Sequence, residues 1–401
     1  MKNQLVVRIA SISLVAGLSA AIQALPVQAA SLNAIPPVTP GADCSSHDVN
    51  NSGYVVGACT GTPQTAWVYN PFLGSVSGLA PLASGNPCSA DGIAAIGTII
   101  GNCDNASNQQ TGVAWNLFDL NTPRNLQVLL AGVRTIPAAQ SENFVVGQSV
   151  TLLNLSTPAI WVSSLGVVKR IGPVESGCQP VAVQGTSQST PITIAMNCPG
   201  LLGGETAYFV QAATFSSTYI RHPLPIASGS SNCTASGLNS NGELNGTCYD
   251  AAGNGRAAFW PTSTATPNVA PLAAGVASTA AIALNSSGQM LILDTASGQV
   301  APALWDAHAN TVTNIPALPG CTQNVPAAIA DNGLALMNCG YSTGDVQAFT
   351  WSQANGPVSL GLYPGAPSLT CGALAPNGSA AACVARDSSA HLTAIQASNL
   401  P

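Results

Sequence analysis

The stretch CSSHDVNNSGYVVGAC (44–59) places cysteines equidistant from an Asn-Asn-Ser-Gly turn, and the chain repeats this plan eight times. CTASGLNSNGELNGTC (233–248) has the same length and the same central Asn-x-x-Gly, while CSADGIAAIGTIIGNC (88–103) keeps the length and the glycine. Looser copies run 178–198, 321–339 and 371–383, with their length changes between the cysteines, where a hairpin tip can absorb them. Two copies, 134–149 and 279–294, lack cysteines and hold Arg134 with Ser149 and Thr279 with Asp294 instead. The six tryptophans, Trp67, Trp115, Trp161, Trp260, Trp305 and Trp351, follow at spacings of 48, 46, 99, 45 and 46. TAYFVQ fills the long gap, with Phe209 in the tryptophan position. In the last copy Ile395 stands twelve residues after Cys383, as Trp115 follows Cys103, Trp260 follows Cys248 and Trp351 follows Cys339. A period of about 40–50 residues built from short β-type segments is the signature of a propeller.

Each repeat reads as four strands, because its apolar runs are short, alternating and punctuated by Gly, Pro and Asn. The fold class expected is all-β: an eight-bladed β-propeller of four-stranded antiparallel blades, with repeats starting near 44, 88, 134, 178, 233, 279, 321 and 371. Seven blades plus an irregular segment is the alternative. Residues equidistant from a hairpin turn face each other at about 4.5 Å between Cα atoms, a distance a disulfide can bridge. The repeat phase therefore predicts Cys44–Cys59, Cys88–Cys103, Cys178–Cys198, Cys233–Cys248, Cys321–Cys339 and Cys371–Cys383. The eighth repeat ends at Pro401 without a fourth strand, whereas SLNAIPPVTPGADC resembles the fourth-strand segment NTVTNIPALPGC. Residues 32–43 are thus expected to supply the outer strand of the last blade and remove an exposed edge.

The amino end sets the compartment. Lys2 and Arg8 precede an uncharged run (9–22), and LPVQAAS offers small residues before a cut, so residues 1–29 read as a signal peptide and 30–401 as one propeller domain. The run is too short to span a bilayer, and no membrane insertion is expected after cleavage. In an exported chain twelve cysteines read as disulfides. Loss of Lys2 and Arg8 leaves seven basic against fifteen acidic residues, a net charge of −8, which disfavours nucleic-acid binding.

DVNNSGYVVG followed by TAWVYNP is similar to the HAF-type extracellular repeats of secreted bacterial proteins, which join an Asn-x-x-Gly-x-Val-x-Gly core to a downstream aromatic segment. ALNSSGQ with PALWDA, and GLNSNGELNG with AAFWPT, fit in the same way. The resemblance covers nearly all of 44–395; the chain departs from it by adding disulfides and lacking the histidine of the family's name. It implies an exported β-propeller-like protein and supplies no catalytic residues.

Chemistry-bearing motifs are scarce. There is no HExxH or CxxC, no GxSxG, no phosphate loop and no EF-hand loop, so neither metal nor cofactor is expected. The tryptophans, recurring once per repeat, are expected to be wedges between blades rather than sugar platforms. His47 and Asp48 lie on a first strand, which should border the axis, and Asp91 is near the equivalent place one repeat on. Loops after the second strands carry Asp104, Glu205, Asp250, Arg256, Asp345, Arg386 and Asp387, which a propeller gathers on one face. His47, Asp48, Asp91, Asp104, Asp250, Arg256, Asp345, Arg386 and Asp387 are the candidate ligand-binding residues. The expected function is a secreted, non-catalytic, monomeric protein that binds an extracellular protein or glycan. An extracellular hydrolase or lyase using His47, Asp48 and Asp91 on a glycan or ester at the axis is the alternative, and a purely structural envelope module a third.

Overall fold

A computed structural model describes residues 30–174, 176–200, 204–296 and 299–401; residues 1–29, expected from the sequence to be a signal peptide, lie outside the described residues. It contains thirty-two strands and, among the described residues, no helix. They form eight four-stranded antiparallel blades: 44–78, 88–125, 132–170, 179–223, 232–269, 278–314, 323–359, and 368–398 completed by Ser31–Ala34. Blades 4 and 5, and blades 7 and 8, also touch through one parallel pair each, Thr206 with Cys233 and Gln347 with Leu369. The first strands adjoin one another in sequence around a full circuit, with Cys44–Val49 of blade 1 beside Ser368–Leu374 of blade 8. They are innermost and line the axis.

The ring closes through the amino end. Ser31–Ala34 runs antiparallel to Leu392–Ser398, with Ser31 opposite Ser398 and Ala34 opposite Ile395. The closing strand is thus shorter than the expected 32–43, and the rest of that segment crosses to blade 1. There Asp43 accepts the Leu392 N–H at 2.8 Å and pairs with His391.

Every first strand carries one extra residue. Register shifts leave His47, Asp91, Ala138, Val181, Ser236, Ile282, Ala327 and Gly372 bulged out of the pairing with the second strand. An inserted residue inverts the face of everything after it. Cys44 and Val49, five residues apart, accordingly sit in one core with blade 8, and Cys88 and Ile93 in one core with blade 1. In four blades the pairing is so close that only glycine fits. A Cβ on Gly57, Gly101 or Gly147 would lie 2.0 Å from a first-strand carbonyl, and one on Gly246 would lie 1.9 Å away. The Val-x-Gly of the repeat is this close approach; Met196, Ile292, Met337 and Cys383 stand at the same register in the other blades.

The Asn-x-x-Gly signature joins neighbouring blades. Asn239 Oδ1 accepts the N–H groups of Asn241 and Glu243 at 3.0 and 3.1 Å, and its Nδ2 donates to Asn285 O of the next blade at 2.9 Å. Asn285 repeats this with Ser287, Gln289 and Ala330 O, and Asn50 with Ser52, Tyr54 and Ala94 O. The following glycine takes the left-handed conformation the turn requires (φ +80° at Gly53, +75° at Gly288).

All six tryptophans are buried between their own blade and the preceding one. The indole N–H groups of Trp115, Trp161 and Trp260 reach back to Ala80 O, Gln127 O and Pro225 O at 2.7–2.9 Å. The register corrects two assignments. Trp115 lies opposite Ile99, and the equivalent residues are Val210, opposite Ile194, and Ala397, opposite Ala381. Phe209 is one residue off and faces the next blade; Ile395 is two residues off on the same face. Trp67 is also displaced, opposite Gly57 with Tyr69 in the usual place, and its indole N–H is buried without a partner.

Six disulfides join the pairs Cys44–Cys59, Cys88–Cys103, Cys178–Cys198, Cys233–Cys248, Cys321–Cys339 and Cys371–Cys383. Cys371 and Cys383 sit at the register of Ser46 and Gly57, nearer the tip than Cys44 and Cys59, so their short spacing reflects a shifted staple rather than a trimmed turn. In the cysteine-free blades, Thr279 faces Asp294 as expected. Ser149 faces Thr135 rather than Arg134, because the tip of this hairpin is one residue shorter than in blade 1.

Two stability outcomes follow from these contacts. Asn285→Ala removes a turn cap and an inter-blade bond together and should lower unfolding stability by about 2–3 kcal/mol, read from the urea midpoint. Deleting residues 30–35 exposes the edge of Leu392–Ser398 and should convert a single species into larger assemblies on size-exclusion chromatography.

Candidate functional site

The bulges decide what the axis presents. A bulged side chain on an innermost strand has neighbouring blades on both flanks, so it turns to the channel. Along blades 3 to 7 the exposed or half-buried residues at the equivalent first-strand positions include Ile136, Ala138, Ile282 and Val325 but also Gln179, Thr234 and Ser236, a wall of mixed polarity. Blades 1 and 2 differ, for there the bulged residues are His47 and Asp91, and the residues two places earlier are Ser45 and Ser89.

These side chains form one hydrogen-bonded set. Ser45 Oγ lies 2.8 Å from His47 Nε2. His47 Nδ1 lies 2.8 Å from Ala90 O and 3.5 Å from Asp91 Oδ1. Both partners of Nδ1 are acceptors, so Nδ1 carries a proton; in the neutral ring Nε2 is then an acceptor and Ser45 donates to it. Asp91 is held by Asn102 Nδ2 at 2.8 Å and by the Ser89 hydroxyl. The His47 and Asp91 side chains are 31 % and 40 % exposed, so the set faces the channel. The hydrogen bond to Asp91 raises the His47 pKa above the usual 6.5, against the opposing effect of burial; the Ala90 carbonyl and the charges of Asp91 and Asp48 act in the same upward direction. Although burial favours its neutral form, Asp91 is held below the usual carboxylate range by its bonds to His47, Ser89 and Asn102.

Asp48 faces away from this set, into the seam between blades 1 and 2. Its oxygens accept the N–H groups of Val49 and Ile93, both at 2.8 Å, yet burial pushes its pKa up to about 6. It reaches the axial mouth at the hairpin tips. A cavity of about 490 Å³ opens there, with Gln140, Glu142, Gln184 and Ser240 as polar lining and Ile93, Val183 and Leu238 as apolar lining.

The loop charges sit elsewhere. Asp250 accepts the N–H groups of Ala252 and Asn254 and the Asn254 amide, which hold its carboxyl low. Asp387 caps its turn through Ser389 and His391, and Arg256 donates to Ala270 O. Asp345 and Arg386 meet at Ser368 Oγ, at 3.4 Å each. Asp104 ends the strand Thr98–Asp104, and exposed Glu205 begins Glu205–Ala212. Of the candidate residues the structure brings His47 and Asp91 together, with Asp48 alongside. Ser45, Ser89 and Asn102 were missed; the signal was available, since a Ser two residues before both His47 and Asp91 repeats at one period. Also missed was a groove of about 450 Å³ on the outer rim between blades 3 and 4, lined by Lys169, Arg170, Tyr219 and Arg221. Adjacent basic residues in two successive fourth strands mark it.

No protein-family model and no curated protein sequence matches the chain. Among solved structures it is similar to puromycin hydrolase, with a TM-score of 0.50 at 11% identity, over 86% of this chain and 58% of that one. It is also similar to the β-propeller domain of the Trilobed protease from Pyrococcus furiosus, with a TM-score of 0.48 at 12% identity, over 78% and 95% of the two chains. A six-bladed β-propeller lectin of Aleuria aurantia gives 0.35 at 16%, over 79% and 94%. At these identities the likeness concerns the fold alone.

Asp48 yields a test of the local electrostatics. Its folded-state pKa lies above the unfolded value, so the folded protein holds that proton more tightly; the penalty for ionising it is absent below about pH 4 and grows to its full size above about 6. Asp48→Asn abolishes this titration, although its single amide oxygen can accept only one of the two N–H groups, so the stability of the variant relative to the wild type should rise by roughly 1–3 kcal/mol between pH 4 and pH 7.5, measured by urea unfolding at both values.

Proposed function

We propose that this chain is an exported binding protein that holds a hydroxyl-rich glycan at its axial mouth. The observation that carries the reading is the make-up of the cavity at the hairpin tips. Carboxylates and amides from three blades, Asp48 (blade 1), Gln140 and Glu142 (blade 3) and Gln184 (blade 4), converge over an apolar floor. Paired donors and acceptors above aliphatic surface suit the hydroxyl rims and C–H faces of a sugar. Export is supported by the leader pattern in residues 1–29 and by six intrablade disulfides, which persist in an oxidising compartment. Among the described residues no helix is long and apolar enough to cross a membrane. The likeness of the repeat to HAF-type extracellular repeats agrees with this placement, and the propeller fold itself does not choose among functions.

The oxidised mature chain, applied to a broad glycan array, should bind a limited set of glycans. The double variant Glu142→Ala, Gln184→Ala should weaken that binding at least tenfold while keeping the wild-type disulfide map and a cooperative urea transition, although each side chain also bonds a neighbouring blade. An array that stays blank, or binding that the double variant leaves intact, would remove this reading; capture of a non-glycosylated protein partner instead would replace it.

A further inference from the structure

We propose that Ser45 is a nucleophile, with His47 as its general base and Asp91 as the positioning residue behind the base, and that this wall of the channel acts on acyl esters. The geometry is that of an activated hydroxyl. Ser45 Oγ lies 2.8 Å from Nε2, on the ring edge opposite Nδ1, and Nδ1 is fixed as a donor by Ala90 O at 2.8 Å and Asp91 Oδ1 at 3.5 Å. Asp91 is in turn oriented by Asn102 and Ser89. A Ser45–His47 contact alone would be unremarkable on a polar surface. Here the full chain of serine, imidazole and supported carboxylate is exposed on the axis, and nothing in the fold requires it. Six other blades fill the two bulge positions with Ala138, Val181, Ser236, Ile282, Ala327 and Gly372 and fold alike.

The step balances with these groups alone. The bond from Ser45 Oγ to the acyl carbon forms as the bond from that carbon to the leaving oxygen breaks. The Ser45 proton passes to His47 Nε2 and from there to the leaving oxygen. Water then hydrolyses the acyl-serine with His47 again as base. The charged groups near His47 are Asp91, beside it on the first strand of blade 2, and Asp48, next in its own strand but turned into the seam; both favour the imidazolium, so Nε2 becomes free to accept a proton only at higher pH than in an ordinary histidine.

The test uses the oxidised full mature chain and a fluorophosphonate, which forms a stable bond to an activated serine with loss of fluoride. Peptide mapping should place the label on Ser45, with a rate that climbs between pH 6 and 8.5. Ser45→Ala should abolish the label and His47→Gln should slow it at least a hundredfold. Asp91→Asn, which retains a side chain for Asn102 and Ser89 to hold, should slow it about tenfold and shift the midpoint of the pH profile to lower pH. That shift is a readout a merely structural Asp91 would not give, and it carries the test if His47→Gln misfolds, as judged by a non-reducing disulfide map. Folded wild-type protein left unlabelled at Ser45 after hours at pH 8.5, a label that persists in Ser45→Ala, or an unmoved profile in Asp91→Asn would each overturn the proposal.

Discussion

In an antiparallel pair the face a side chain occupies is set by parity, and one inserted residue reverses that parity for the remainder of the strand. All eight innermost strands of this molecule use that reversal at the same place. It lets both ends of a short strand, Cys44 and Val49 or Cys88 and Ile93, enter the same inter-blade core, while the inserted residue turns to the axis. The inserted residues form a ring of eight equivalent positions, most of whose side chains are free of packing duty, Val181 and Ala327 being the ones packed against an inter-blade core. Chemistry can be placed there with little consequence for the fold, and it is placed on two adjacent blades.

The ring is held together by short-range devices that recur with the period. A buried asparagine caps its own turn and bonds the next blade, and a tryptophan packs against the preceding blade and donates to its last loop. No disulfide joins one blade to another. The seam between blades 8 and 1 is closed instead by hydrogen bonds: Asn377 N to Asn51 Oδ1 at 2.9 Å, Gln396 Nε2 to Gly53 O at 2.6 Å, Ser46 Oγ to Cys383 O, and the paired strand Ser31–Ala34. Spreading the load in this way suits a chain with only 6% charged residues, which has few ion pairs to spend on closure.

Blade architecture, the closing amino end and the disulfide pairs were legible in the sequence because each depends on counting along the chain from a turn. What failed was counting across strands. Residue 210 is twelve residues after Cys198, so the offset itself pointed to Val210; the preference for an aromatic drew the reading to Phe209, which faces the other way. In blade 8 the cysteines lie two residue pairs nearer the tip, so the same offset lands on Ile395, two residues short of Ala397. The bulge was invisible for a related reason, since it adds one residue to the cysteine spacing just as a longer turn would. Without it Ser45 and His47 read as neighbours on a strand of unknown orientation rather than as partners of Asp91 one blade away.

The staples bear directly on the axis. Cys44–Cys59 lies one residue from Ser45, and Cys88–Cys103 one residue from Ser89, so the two strands that carry the polar set are each cross-linked to their second strand immediately beside it. A disulfide closing a loop of about 15 residues acts mainly by restricting the unfolded hairpin and contributes about 3 kcal/mol to the whole fold. It also acts locally. Ser45, His47 and Asp91 are held by bonds of 2.8–3.5 Å that span two separate blades, and fraying of either hairpin would move one partner away from the others. Intrablade bridges thus do something for this protein that inter-blade bridges would not: they leave the ring to its packing and fix the register of the strands on which the exposed side chains depend.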